Sequence, residues 1–408
     1  LVYSKRYFEI NIIVMKRILY CDLIAYGGIH SEFNSACLQV LMLAYPDIQN
    51  VEFFAEKRHS EICSIRLKKY QNIKYNNYRL NSERFIGGFK TPLRDLISCF
   101  YLLRIFLQSR NNDLIFIALA YPIAQNFILV LQSIFKRNVY LCQHGELGVF
   151  VNSSHFYKNK FYYSLIRRTL KSKLIKTVVL GAPIFKNVSY LFNSNSNVIV
   201  IDHPYDFSCE NVITHNDDFY PLTIGQIGTG GLGKGTNYLF ELAFLLEKEI
   251  RKGIVKIKLI GALPYNLRYL DNGLVEYSDI RLDIRAFEEG IKSLHYTLQL
   301  KDNETGKAAA SGSFFDTIKY NKPFLSFYND YILYYVNKYS SVGHFCLSLK
   351  DMADKVKEIV YTDRDDLKNE YYKSLIEIDD LKKTISLNEI ARSFRCQDLK
   401  LKLWSRKY

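Results

Sequence analysis

The sequence predicts an α/β protein made of two similar domains, each a parallel sheet covered by helices on both faces. Three observations lead there. Short apolar runs of strand length alternate with longer amphipathic runs along most of the chain, which is the rhythm of βαβ units. That rhythm pauses once, in a polar stretch at 205–220, and then resumes. At about 150 residues per domain, the 408 residues suffice for two or three domains.

In the first half, Arg17–Ile24 reads as a strand, followed by Gly27-Gly28 and a helix from Ser31 to Ala44. Val51–Phe54 is the next strand and Leu93–Leu107 a helix. Leu114–Phe135 carries no charge and is long enough to span a bilayer. Pro122, Gln125, Asn126 and Gln132 interrupt it, so it reads as a buried strand, Leu114–Leu119, and a helix, Ala124–Phe135. Asn138–Cys142 and Thr177–Leu180 are strands. The polar stretch holds Asp206, Asn211, Asn216, Asp217, Asp218 and Pro221, and is the expected linker.

The second series begins with strand Leu222–Ile227 and helix Asn237–Ile250. Strand Val255–Gly261, helix Ile284–Lys292 and strand His295–Leu300 follow. Helix Phe314–Tyr320 and strand Pro323–Phe327 come next, then a charged helical tail from about Asp351 to the end. Asp363-Arg364-Asp365 lies in that tail and reads as a solvated helical face, not a metal site.

Apolar residues make up 48% of the chain and charged residues 24%, which excludes disordered, collagen-like and coiled-coil classes. The net charge of +14 is uneven: residues 1–210 hold 26 Lys and Arg against 14 Asp and Glu, and residues 211–408 hold 29 against 27. The basic half points to an anionic partner on that side. The cysteines stand singly with no CxxC pair, so no structural zinc site is expected and a reducing cytoplasm fits. Leu1–Val14 lacks a small-residue cleavage site and is not read as a signal peptide; Met15 looks a more natural start.

Gly228-Thr229-Gly230-Gly231-Leu232-Gly233-Lys234-Gly235-Thr236 follows a strand and precedes a helix. Glycines let backbone approach a ligand, and amides at a helix start favour phosphate. Gly228, Gly230 and Gly233 match GxGxxG, but the next strand ends at Gly261-Ala262 without the acid a dinucleotide site needs. The near match to a P-loop puts Gly235 where the magnesium-binding hydroxyl belongs. A tight turn without a ligand is the plain alternative. A second stretch, Ala308–Pro323, runs small residues into an amphipathic helix, a pattern that accepts anions at the helix start.

Together these stretches resemble the donor domain of GT-B glycosyltransferases, particularly family-four-like and divergent bacterial polysaccharide enzymes. The loop matches their "GRL…KG" spacing without a gap, with Lys234-Gly235 as the Lys-Gly and Thr229 in place of the Arg. The second stretch fits the "ASG…D/E-A-x-x-x-x-x-P" variant, with Asp316 seven residues before Pro323. The first Glu of the commoner motif falls at Ala308 and is absent. The resemblance implies two Rossmann-like domains facing a cleft, at 16–205 and 221–385, and a tail helix at 386–408 that crosses back onto the first.

It also implies roles. Gly228, Thr229, Gly230, Gly231, Lys234, Ser311, Gly312 and Ser313 would hold the diphosphate of a nucleotide-sugar donor, and Asp316 its ribose. Gly27 and Gly28 would face the acceptor side. Gln143-His144-Gly145-Glu146 follows a strand end, where open α/β sheets bind ligands. His144 is the expected catalytic residue, able to exchange a proton and meet the transferred sugar; Glu146 is a weaker acceptor-side choice. His30 reads as a helix-start residue, and His203 and His295 as structural.

Ser154–Lys176 has seven basic residues, no acid and five aromatics, a composition suited to an anionic membrane surface. No RNA- or DNA-binding motif accompanies it. The expected function is sugar transfer from a nucleoside-diphosphate sugar to a glycan or polyprenyl-linked acceptor in surface polysaccharide assembly. Neither a metal nor another cofactor is expected, and the expected location is the cytoplasm or the inner membrane face. The alternatives are a non-catalytic nucleotide-binding or membrane-bound scaffold, and a dehydrogenase.

Overall fold

The computed structural model describes residues 15–78, 90–151, 160–193, 196–208, 219–301 and 307–404. The chain start at 1–14, the middle of the expected linker at 209–218 and the first part of the basic aromatic stretch, 154–159, lie outside the described residues.

The first half runs β1 (Arg17–Asp22), α1 (Ser31–Ala44), β2 (Asn50–Glu56), α2 (Lys57–Arg66), β3 (Ile73–Tyr78), α3 (Lys90–Gln108), β4 (Asp113–Leu119), α4 (Pro122–Phe135), β5 (Asn138–Gln143), α5 (Lys160–Leu170), β6 (Lys176–Leu180), α6 (Ala182–Val188) and β7 (Asn197–Ile201). Its strands form a seven-stranded parallel sheet in the order β3-β2-β1-β4-β5-β6-β7. Every residue of β4 is buried, as a central strand covered on both faces requires. The segment with the length of a membrane span is therefore this strand and α4. Among the described residues no helix is long and apolar enough to cross a membrane.

The second half runs β8 (Leu222–Ile227), α7 (Thr236–Leu245), α8 (Glu247–Arg251), β9 (Val255–Ala262), β10 (Val275–Ser278), α9 (Ile284–Lys292), β11 (Tyr296–Gln299), α10 (Gly312–Lys319), β12 (Phe324–Phe327), α11 (Asp330–Val336), β13 (Gly343–Cys346), α12 (Leu349–Tyr361), α13 (Arg364–Thr384) and α14 (Leu387–Trp404). Its six-stranded sheet has the order β10-β9-β8-β11-β12-β13. In both sheets the order reverses beside the first strand, between β1 and β4 and between β8 and β11. Open α/β sheets bind ligands in the crevices at such points.

Some elements depart from the sequence reading. β1 stops at Asp22 rather than Ile24, because Asp22 Oδ1 accepts from the Ile24 and Ala25 amides at 2.8 and 2.7 Å and turns the chain. The expected helix 237–250 is broken at Leu246, whose amide is shared between the Leu242 and Ala243 carbonyls at 3.0 and 3.3 Å. The tail is three helices, restarted by side-chain caps. Ser348 accepts from Asp351 N at 3.0 Å, and Asp363 accepts from Asp365 N at 2.9 Å. The Asp-Arg-Asp triplet is thus a helix start.

The last helix crosses back. Ile390, Ala391 and Phe394 of α14 are buried in the core of the first domain with Tyr20, Phe116 and Tyr140. Gln397 bonds both backbone groups of Val200 on the edge strand β7, accepting at 2.9 Å and donating at 2.6 Å. A third apolar cluster joins the domains: Leu147, Val179, Ile184 and Tyr205 pack with Phe314, Phe315, Tyr331 and Tyr335, and with Ile378 and Leu381 of α13.

Candidate functional site

The crevice between β8 and β11 holds a cavity of about 300 Å³. Gln226, Ile227 and Gly228 line it from one strand end and Leu298 to Lys301 from the other. Lys234, Ala310, Ser311, Gly312, Ser313 and Asp316 complete it. The glycine-rich loop is shaped by side chains beneath it. Thr236 Oγ1 accepts from Gly231 N and donates to Gln226 Oε1, both at 2.9 Å. Gln226 Nε2 donates to the Lys234 carbonyl at 2.7 Å. Lys234 Nζ folds back onto the Thr229 carbonyl at 2.9 Å. Burial pushes the Lys234 ammonium down against the raising effect of Asp316.

The opposite wall of this cavity is the start of α10. Ser311 caps the helix, its Oγ accepting from Phe314 N at 3.4 Å. Ser313 Oγ lies 3.2 Å from Ser311 Oγ and donates to Gln299 Oε1 at 3.5 Å. Asp316 Oδ1 accepts from the Tyr205 hydroxyl of the first domain. Burial raises the Asp316 carboxyl to about 6. Of the donor-side residues named from sequence, Gly228, Lys234, Ser311, Gly312, Ser313 and Asp316 therefore meet in one cavity. Thr229, Gly230 and Gly231 do not line it: Gly230 packs against Pro264, Thr236 and Leu259.

Across the cleft, the first domain presents the ends of β1 and β5. The Gly27-Gly28 turn is held from below: Gly27 N donates to Glu56 Oε2 at 3.3 Å, and His59 Nδ1 donates to the Gly27 carbonyl at 2.8 Å. His59 Nε2 then accepts from Asn34, which also donates to Asp22. Gly28 lies against the second domain, where a Cβ would sit 3.3 Å from Arg281 Nη2.

His144 follows β5. Its ring stands edge-on to Phe33 at 4.1 Å, with His30 at 5.1 Å and His203 at 6.1 Å. Its Nε2 is buried with no hydrogen-bond partner among the described residues. Burial, then His30 and His203, hold the imidazole well below its ordinary range, so it is neutral. Glu146 does not orient that ring; its Oε2 accepts from the His144 backbone amide at 2.9 Å. Burial lifts the Glu146 carboxyl to about 7.

The sequence reading missed the residues that tie the walls together. Glu32 of α1 bridges Arg66 of α2 and, at 3.3 Å, Lys319 of α10. His203, read as structural, stacks on Phe315 at 5.0 Å beside Asp316. Gln226 and Gln299 were also missed, although each is a polar residue inside an apolar strand. Among the described residues no group of three or more His, Cys, Asp or Glu is arranged to hold a metal ion.

No family model matches the chain, and no curated protein matches it by sequence. Solved structures match along almost its whole length. HepE of Anabaena, in complex with UDP and glucose, is 13% identical with a TM-score of 0.61, covering 96% of this chain and 100% of that one. Sucrose-phosphate synthase of Thermosynechococcus elongatus is 11% identical with a TM-score of 0.67, covering 96% and 100%. TarM of S. aureus, in complex with fondaparinux, α-GlcNAc-glycerol and UDP, is 13% identical with a TM-score of 0.64, covering 94% and 99%. The chain has the fold of these proteins, the GT-B arrangement of two Rossmann-like domains about a cleft.

Proposed function

We propose that the protein is a glycosyltransferase that moves a sugar from a nucleoside-diphosphate sugar to a glycan or lipid-linked acceptor in surface polysaccharide assembly. One observation carries this reading. The crevice between β8 and β11 gathers a glycine loop, Lys234 and a serine-rich helix start at one point facing the other domain. Lys234 and the first amides of α10 would stabilise the diphosphate as it departs with its developing charge. Asp316 would meet the ribose through Oδ2, since Tyr205 occupies Oδ1. Neutral His144 is a weak base, and is better suited to accept a hydrogen bond from a sugar or acceptor hydroxyl.

The outer face of the first domain supports a membrane-borne acceptor. Leu93, Leu96, Phe100 and Leu107 are exposed in one stripe of α3, and α4 adds Val130 and Ile134. The exposed Lys160, Arg167 and Arg168 of α5, next to α4, supply charge for anionic lipid.

The test is thermal shift of the full chain with UDP, GDP, CDP, ADP and NAD, followed by turnover with the matching sugar nucleotides. A ligand at 100 times its dissociation constant stabilises by about 2.7 kcal/mol. A shift with one nucleoside diphosphate, lost in Lys234→Ala, is the expected result. A shift with NAD alone would overturn the reading. Binding without turnover on any acceptor would favour a scaffold, for which the Thr at 229 speaks, because it removes a phosphate-gripping guanidinium.

A further inference from the structure

Arg94, on the second turn of α3, is only 4% exposed. Its Nε and Nη2 are buried and have no hydrogen-bond partner among the described residues. Its guanidinium lies over two tyrosine rings, Tyr26 at 5.8 Å and Tyr121 at 5.6 Å. Tyr26 immediately precedes the Gly27-Gly28 turn after β1, and Tyr121 follows β4. These are the two strands that flank the order reversal of the first sheet, where ligands bind in such folds.

The nearby carboxylates are engaged elsewhere. Asp95 accepts from Ile123 N and Ala124 N at 2.8 and 2.7 Å, and so caps α4. Glu146 accepts from His144 N. Burial raises both acids, Asp95 to about 6 and Glu146 to about 7, and neither makes an ion pair with Arg94. A buried guanidinium with no acid paired to it among the described residues is costly, and a partner anion would offset that cost. The two rings lie beside a planar guanidinium fork, whose shape suits two-pronged contact with phosphate.

We propose that Arg94, held between Tyr26 and Tyr121 at the switch point of the first sheet, binds a phosphate monoester or diester carried by the acceptor. The site goes beyond the donor-side reading and rests on it only for the word acceptor. Its chemistry fits a lipid-borne phosphate and a soluble sugar phosphate alike.

The experiment is calorimetric titration of the full chain and of the Arg94→Gln, Arg94→Lys and Lys234→Ala variants. The probes are inorganic phosphate, glucose 6-phosphate and dodecyl phosphate below its micelle concentration. Binding by wild type and Lys234→Ala, weakened about tenfold or more in Arg94→Gln and partly restored in Arg94→Lys, is the expected result. Glucose 6-phosphate as the tighter ligand assigns a soluble acceptor, and dodecyl phosphate a lipid one. Equal binding by wild type and Arg94→Gln, or no binding by wild type at millimolar probe, overturns the proposal. Because removing an unpaired buried charge does not weaken the fold, the melting temperature of ligand-free Arg94→Gln should match or exceed wild type. A large fall instead would show that Arg94 is structural. Loss of UDP binding in Lys234→Ala, read separately, tests the donor site alone.

Discussion

The Glu146 carboxyl is 6% exposed, and burial holds it near 7 against an ordinary value of 4.5. A raised acid stabilises the fold below its unfolded value and loses that contribution as pH rises through the folded one. Glu146→Gln keeps an oxygen to accept from His144 N but never ionises. Its melting temperature should therefore exceed wild type at pH 8, and the difference should vanish below about pH 4. A variant less stable than wild type at pH 8 would show that the ionised carboxylate has a partner. Lys234, Ser311 and Asp316, which meet in one cavity, were legible because a glycine-rich strand-to-helix turn and a capped helix start restrict which residues can stand there. Glu32, Arg66, Lys319 and Arg94 were not, because they act through neighbours brought together by folding from distant parts of the chain.

At the scale of elements, the turn into α7 depends on one residue. Gly235 has φ +73°, and a Cβ there would stand 2.1 Å from the Leu300 carbonyl oxygen. The left-handed backbone alone costs a side chain about 1–3 kcal/mol, and the clash adds to it by pushing β11 from the loop. Gly235→Ala should lower the melting temperature and abolish the shift with nucleoside diphosphate; unchanged nucleotide affinity would contradict this geometry. The stripe on α3 makes a second test. Leu96→Asp with Phe100→Asp, on an unpacked face, should leave the circular dichroism unchanged and abolish cosedimentation with phosphatidylglycerol vesicles. Equal cosedimentation by the variant would exclude this face. The sheet strands were easiest to read where both faces are buried, as in β4. The edge strand β3, Ile-Lys-Tyr-Asn-Asn-Tyr, and the polar helix α2 carry no such pattern, since one side of each meets water.

The whole molecule is closed by its tail. Asp398 of α14 is fully buried, and accepts from the hydroxyls of Tyr45 and Tyr140 at 2.6 and 2.7 Å. Lys176 and Lys402 each approach it at 2.7 Å. Burial pushes the carboxyl up, but the two lysines outweigh it and hold it near 2. A depressed acid stabilises above its unfolded value, so this contribution is complete above about pH 4 and is lost as pH falls through 2. Asp398→Ala leaves Lys176 and the tyrosine hydroxyls without their acceptor, at a cost of about 3 kcal/mol or more. How that loss appears depends on how the domains are joined. Domains joined by small polar contacts unfold and move separately. Here an apolar cluster runs from Leu147 and Val179 through Phe315 and Tyr335 to Ile378, while the tail places Phe394 in the opposite core. Tail and both sheets should therefore unfold together. Calorimetry of wild type should give one transition, and Asp398→Ala should move that transition down whole. A separate early transition in the variant would mean that α14 undocks by itself, and that the cleft is closed by the Glu32–Lys319 bridge and the apolar cluster without it.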